Sequence, residues 1–335
     1  MQDGHPGSEE KAEFNAGELI MGHIADEHGW HIAGEFSIPL PIILYDTQRG
    51  LSVFSSARFE HGHAAYNGYM LHDGKVVAVD ANGAIDEAAS KHIWDISITK
   101  NVFSILLVTV LMLLIFPAVA KRYKQREGQA PKGLQSLLEP VILFVRDDVA
   151  KGAIGEKKYE RFMPYLLTTF FIILFMNLLG LIPFFPGGAT LTGNIAITFT
   201  LAVIVLFIVA FNGNGHYWRH IFAMPGVPAW VLLILTPVEI LGMFLKPFVL
   251  MIRLFANLAA GHIIGLSFFS LIFVFGATSA AVGYGVSVVS LMFTVFMFFL
   301  ELLVAFIQAY VFTFLAALYI GAAVEESHEH QESLV

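Results

Sequence analysis

Residues 236–262 read TPVEILGMFLKPFVLMIRLFANLAAGH, with isolated charges set in an otherwise apolar sequence. This stretch belongs to a longer apolar run, residues 230–271, which as a helix rising ~1.5 Å per residue would be ~63 Å long. A second run, residues 286–323, would be ~57 Å long, yet the hydrocarbon core of a bilayer is only ~30 Å thick. The short uncharged link 276–285 favours a single long, steeply tilted helical hairpin.

Three charged residues of this hairpin, Glu239, Lys246 and Arg253, are spaced seven apart and therefore share one helix face. Asn257 follows Arg253 by one turn on that face. Each charge at membrane depth costs ~2.5 to 3.5 kcal/mol, so the pattern predicts a functional site. For Glu239 and Lys246, a structural role at the membrane surface is equally open.

The register of the hairpin predicts which residues of its second helix face this site. With the turn centred near residue 280, Arg253 lies 27 residues before it and Gln308 lies 28 after it, which predicts equal depth. His262 lies 18 before and Glu301 21 after, so these two are also expected to meet, closer to the outer surface. The alternative, an ion pair between Arg253 and Glu301, is disfavoured by their difference in depth.

The composition of the whole chain indicates an all-α membrane protein with about five transmembrane helices. Of 335 residues 56% are hydrophobic and 14% charged, and the absence of cysteine excludes disulfides and cysteine-bound metals. Long apolar spans with few or no charges predict transmembrane helix 1, a transmembrane hairpin and the long tilted hairpin. These three segments are residues 98–120, 162–214 and 230–323.

The distribution of basic residues predicts the topology. Residues 121–161 contain 10 of the 19 Lys and Arg, so this segment is expected in the cytoplasm, together with the loop 215–229 and the tail 324–335. Within the basic segment, apolar residues at helical spacing predict one amphipathic helix on the cytoplasmic surface. They are Leu134, Leu137, Leu138, Val141, Val145 and Val149.

The N-terminal segment 1–97 is predicted to be an acidic, β-rich extension outside the membrane. It contains 15 of the 27 acids but 5 of the 19 Lys and Arg, and short apolar runs alternate with turn residues. Its histidines, including His61 and His63, are expected at the surface rather than in a metal site. Because the extension must cross the membrane and no leader sequence precedes it here, we expect that a signal peptide has been removed.

The stretch MIRLFANLAAG, residues 251–261, resembles the signature of subunit a of the F-type ATP synthases, in a bacterial long form with an extra N-terminal domain. Glu239 and Lys246 fall where that family often has a glutamate and a lysine. Residues 308–313, QAYVFT, together with Tyr319 resemble its final helix, and residues 176–183, MNLLGLIP, are similar to its third. The resemblance covers residues 101–323.

Two positions depart from the family pattern. Some bacterial members have an aspartate where this chain has Gly180, so a channel carboxylate is missing there. Many members have a glutamate at the position of His262 and a histidine at that of Glu301. The exchange retains one acid and one imidazole in the same layer.

The resemblance implies a non-catalytic, proton-translocating stator subunit of a rotary ATP synthase in the bacterial inner membrane, with its N-terminus outside and its C-terminus in the cytoplasm. Two offset half-channels would lead to carboxylates on the c-ring, and an essential arginine would separate them. The implied partners are the c-ring, the peripheral-stalk subunit b and membrane lipids, without a cofactor, a metal or nucleic acid. The implied proton-path residues are Arg253, His262, Glu301, Gln308, Asn257 and Glu239, supported by Lys246 and Tyr319.

Two other functions use the same buried charges. An ion-coupled secondary transporter or an independent ion channel would bind its ion at these residues and would work alone in liposomes. A membrane scaffold would keep its function when Arg253 is replaced.

Overall fold

The structure of the chain is a computed structural model. It describes residues 26–33, 36–62, 64–72, 74–80, 83–182, 185–224 and 226–325. The His61 side chain, His63 and most of the predicted tail 324–335 lie outside the described residues.

The N-terminal extension consists mainly of short antiparallel strands. They are β1, Gly29–Ala33; β2, Phe36–Pro39; β3, Pro41–Asp46; β4, Gly50–Ser55; β5, Tyr69–His72; β6, Lys75–Ala78; and β7, Ile93–Asp95. β1 pairs with β2, β5 pairs with β6, and β3 lies between β4 and β7. Alternation along β3 directs Ile42 and Leu44 into a small core with Phe59 and Tyr69. The predicted β-rich extension is confirmed.

The rest of the described chain is helical. The helices are α1, Lys100–Gln125; α2, Leu134–Phe144; α3, Tyr159–Leu181; α4, Ile195–Asn212; α5, Gly215–Phe222; α6, Ala229–Thr278; and α7, Ala280–Val324. In the described residues, α1, α3, α4, α6 and α7 are long and apolar enough to cross a membrane. The predicted architecture of five membrane helices, the last two long, is confirmed.

The predicted amphipathic helix is α2, which continues as the π-helical turns Val145–Lys151. Its later apolar residues, Val145 and Val149, are fully buried in the core of the helical bundle, whereas Leu134 and Leu137 are exposed. Gln135, a polar residue outside the predicted apolar stripe, is also buried. The helix is thus packed into the bundle through its second half.

The C-terminal end of α7 is fixed to its neighbours by specific contacts. The backbone carbonyl of Val324 accepts hydrogen bonds from Lys158 Nζ at 2.7 Å and from Asn214 Nδ2 at 2.8 Å. Gly321 packs so closely on the Ala153 carbonyl that a Cβ atom there would overlap it. The fully buried residues Ala309, Ala316 and Ile320, with others of this half of α7, belong to the main bundle core.

The opposite end of the hairpin is an abrupt turn. α6 has 50 residues and α7 has 45, and Ser279 alone separates them. The predicted ten-residue link is therefore largely helical. Gly276 and Gly283 explain how the helices approach at the tip, because a Cβ on Gly283 would lie 2.8 Å from the Gly276 Cα. Much of the hairpin near this tip is exposed, including Tyr284 and Val288.

Candidate functional site

Arg253 lies on the exposed side of α6. The helix buries Leu250, Leu254 and Leu258, which are spaced four apart and form the stripe that faces the bundle. Arg253 and Asn257 precede Leu254 and Leu258 by one residue and are exposed. The guanidinium thus belongs to a surface that the described residues of the chain leave exposed.

Gln308 occupies a different environment from Arg253. It is buried on α7, and within the described part of the chain it forms no hydrogen bond with Arg253. Arg253 also forms no ion pair with Glu301 among the described residues, which agrees with the predicted difference in depth. Of the two residues predicted to lie at equal depth, Arg253 is therefore exposed and Gln308 is buried.

His262 and Glu301 come together, as the register predicts. His262 Nδ1 lies 3.9 Å from Glu301 Oε1, and the side chains are 9% and 14% exposed. On the other side of the ring, Nε2 lies 3.4 Å from the backbone carbonyl of Gly180. Because a carbonyl only accepts, Nε2 is the donor, and Nδ1 is left facing the carboxyl group. At 3.9 Å this contact is longer than a hydrogen bond, and Nδ1 has no hydrogen-bond partner among the described residues.

Two glycines make room for the Glu301 carboxyl group against α6. A Cβ on Gly261 would lie 3.0 Å from Glu301 Oε1, and one on Gly265 would lie 3.7 Å from it. The first distance is tighter than ordinary van der Waals contact and the second is not. The carboxyl group therefore rests on the helix backbone at Gly261, one residue before His262.

Asn177 fixes the elements that surround this pair, and the sequence analysis assigned it no role. It is fully buried on α3; its Nδ2 donates to the Ala305 carbonyl at 3.2 Å, and its Oδ1 accepts from Thr192 Oγ1 at 2.6 Å. Ala305 lies one turn after Glu301. The available signal was an amide in an otherwise apolar span, because such a group needs partners in lipid.

Lys246 and Tyr319, the predicted supporting residues, are in contact. Lys246 Nζ lies 5.7 Å from the centroid of the Tyr319 ring, in the range of a cation–π interaction. Glu239 is half-buried near α5, where burial and then the Glu239 charge raise the pKa of Tyr217. Glu239 and Lys246 are thus each close to an aromatic residue of another helix.

Residues 102–321 match the family described as ATP synthase A chain. "ATP synthase subunit a 2" of Chlorobaculum tepidum is 47% identical over 243 residues, which are 71% of this chain and 66% of that protein. "ATP synthase subunit a" of Chloroherpeton thalassium is 44% identical over 252 residues, 72% of each chain. The protein of that name in Myxococcus xanthus is 41% identical over 244 residues, 71% of this chain and 76% of its own.

The extension has a separate match. Residues 19–96 match a domain family of unknown function, which adjoins the segment matched above without overlapping it. Arg253 lies within the larger match, which also contains three of the described membrane helices entirely and nearly all of α1 and α7. The chain therefore belongs to the ATP synthase A chain family, the family of a non-catalytic, multi-pass membrane subunit of that complex.

Proposed function

We propose that the chain translocates protons in the membrane sector of a rotary ATP synthase, through two offset half-channels that Arg253 separates. The observation that supports the proposal most strongly is the difference in exposure between two residues of α6. Arg253 is exposed on a surface that the described part of the chain does not cover, whereas His262, nine residues later, is enclosed with Glu301. One residue is open to a partner and the other is suited to exchange protons inside the subunit.

The outer half-channel uses the enclosed pair. A proton from outside reaches Glu301 and His262, since an imidazole beside a carboxyl group exchanges protons near neutral pH. With Nε2 donating to the Gly180 carbonyl, Nδ1 takes the proton from the carboxyl group or returns it. The proton then neutralises a carboxylate of the c-ring, which can enter lipid once it is uncharged.

Arg253 acts as an electrostatic gate. Its fixed charge favours the ionised form of a ring carboxylate that arrives beside it, so the proton is released on the inner side, toward Glu239. A guanidinium does not lose its proton in a protein and so cannot pass protons between the half-channels. Asn257 and Gln308 provide neighbouring polar groups, and Lys246 with Tyr319 supports the inner side.

The partners and the location follow from this function. The exposed face around Arg253 contacts the c-ring, and the peripheral-stalk subunit b holds the chain as part of the stator. The protein lies in a bacterial inner membrane with the extension outside and the tail in the cytoplasm. The basic segment 121–161 supports this orientation.

Replacement of Arg253 tests the proposal. In inverted vesicles with assembled complexes, Arg253→Ala is expected to abolish ATP-driven proton pumping, and Arg253→Lys nearly to abolish it, because a lysine that the c-ring covers can lose its proton. Arg219→Ala, at an exposed arginine of α5, is the control and should pump normally. Normal pumping by Arg253→Ala would refute the gate, and ion transport by the isolated chain in liposomes would favour an independent channel or transporter.

A further inference from the structure

A buried tryptophan is one of the contacts that join the extension to the membrane helices. Trp30, in β1, is 4% exposed, and its Nε1–H donates to the Gly187 carbonyl at 2.9 Å. Its ring packs edge-on against Phe103 of α1 at 5.5 Å and Phe185 at 5.4 Å, measured between centroids. Trp94 of the same extension is 67% exposed. Trp30 thus combines aromatic packing with a directional bond to the loop that follows α3.

That loop folds back on the end of α3. Gly188 N donates to the Leu179 carbonyl at 3.2 Å. A Cβ on Gly187 would lie 2.7 Å from the same carbonyl and would overlap Ile182, so the loop fits only without a side chain there. The residue that Trp30 holds is therefore in direct contact with the last turn of the helix.

The last turn of α3 is also where His262 is held. Gly180, next to Leu179, provides the carbonyl that faces His262 Nε2 at 3.4 Å. The loop packs on Gly180 as well, because a Cβ there would lie 3.2 Å from the Ala189 carbonyl. A continuous series of contacts therefore leads from Trp30, through the loop and the end of α3, to His262.

We propose that Trp30 is a positioning residue for proton uptake, and that the extension fixes the loop 185–193 so that the Gly180 carbonyl orients His262 toward Glu301. This assigns a role to a domain whose family has none, and it rests on the proposed function of the chain. The carbonyl fixes which nitrogen of His262 carries hydrogen, so a displaced loop would change how the pair exchanges protons. Trp30 itself transfers no proton.

The test uses assembled complexes in vesicles whose external-side pH is varied while the proton-driven rate of ATP synthesis is measured. Trp30→Phe retains an aromatic ring but removes the donor, and Trp30→Ala removes both. We expect a several-fold lower rate and a shifted dependence on external-side pH for Trp30→Ala, with a smaller change in the same direction for Trp30→Phe. The control Trp94→Ala should match the parent protein in both rate and pH profile.

The pH profile separates positioning from a structural role, because a smaller number of intact complexes lowers the rate without moving the profile. In the described part of the chain, Glu301 of α7 and the Gly180 carbonyl of α3 are the polar groups found at the His262 ring, so a shifted profile reports on this pair. If Trp30→Ala prevents assembly, Trp30→Phe decides the question. An assembled Trp30→Phe complex with the pH profile of the parent protein would overturn the inference. The proposed function would not be affected by that result, because it is tested separately by the pumping of Arg253→Ala.

Discussion

His262 and Glu301 lie on different helices of one hairpin, with Nδ1 and Oε1 3.9 Å apart, although 38 residues of sequence separate them. The imidazole contacts the Gly180 carbonyl through Nε2, and the carboxyl group of Glu301 packs against Gly261. Each group can therefore change its protonation state while its position is fixed by the backbone. This arrangement leads to a test of whether the two act as a pair.

We expect the two residues to be interchangeable. His262→Glu would place two acids together, and Glu301→His would leave two imidazoles without a carboxylate, so each single change should slow ATP-driven pumping. The double variant restores one acid and one base and should recover much of the rate in a double-mutant cycle. The effects of the two single variants are independent if the relative pumping rate of the double variant equals the product of their two relative rates. That result would rule out a functional pair.

Gly261 and Gly265 provide a matched pair for testing the space around Glu301. Gly261→Ala would place a methyl group 3.0 Å from Glu301 Oε1, so the carboxyl group must move and pumping should fall several-fold. Gly265→Ala would place it at 3.7 Å, an ordinary contact, and should leave the rate near that of the parent. Pumping rates of assembled complexes provide the measurement, and equal rates for the two variants would contradict this account of the Glu301 position.

The orientation of the chain can be measured directly, because it contains no cysteine. Gln48, between β3 and β4, and Gln125, at the end of α1, are both exposed. A membrane-impermeant thiol reagent should label Gln48→Cys from the outer side and Gln125→Cys from the cytoplasmic side. Labelling of both from the same side would show that α1 does not cross the membrane as proposed.

Asp46 makes the extension sensitive to acid. The Gln48 N–H donates to it at 2.8 Å and the Tyr69 hydroxyl at 3.1 Å. The bond from Gln48 holds the pKa of Asp46 below its usual value, against the opposite effect of burial. A lowered pKa stabilises the fold above the unfolded value of ~3.9, and this stabilisation is lost as the pH falls through the folded value.

We therefore expect the extension of assembled complexes to become more susceptible to protease as the pH falls below ~4. In Asp46→Asn this acid-dependent increase should be smaller, because the asparagine does not titrate. The comparison is made with an acid-stable protease, and Asp80→Asn, at an exposed carboxylate, serves as the control. An unchanged acid response in Asp46→Asn would show that another group is responsible.

The parts of the site that the sequence predicted depend on regular geometry. His262 and Glu301 could be paired by counting because both helices of the hairpin rise by the same distance per residue. The pairing was predicted correctly although the link was expected to have ten residues and the actual turn is at Ser279. The predicted centre of the turn, near residue 280, was nearly the same. Asn177 was not assigned a role, because its partners Ala305 and Thr192 come from segments with no repeating relation to it.

Sequence periodicity also could not predict how the extension packs on the membrane helices, because the contacting segments have no repeating relation to each other. Trp30 and Gly187 are 157 residues apart, and nothing in either local sequence indicates that they meet. The loop that follows α3 has the glycine and threonine composition of an ordinary connection, yet Ala189 and Thr192 are fully buried. Composition predicts where a chain turns, but burial of the turn depends on what packs over it.

The attachment of α7 has a mechanical consequence. The helix is fixed at Val324, where two side chains bind its last carbonyl and Gly321 packs against Ala153. Near Ser279, in the described residues, α7 packs against α6 and is otherwise largely exposed. Under a sideways load such a helix behaves as a cantilever: the free tip deflects most and the clamped root least. Gln308 lies in the half of α7 that ends at Val324, and Glu301 lies at the middle of the helix. A sideways load on the hairpin can therefore displace its tip more than it changes the distance between His262 and Glu301.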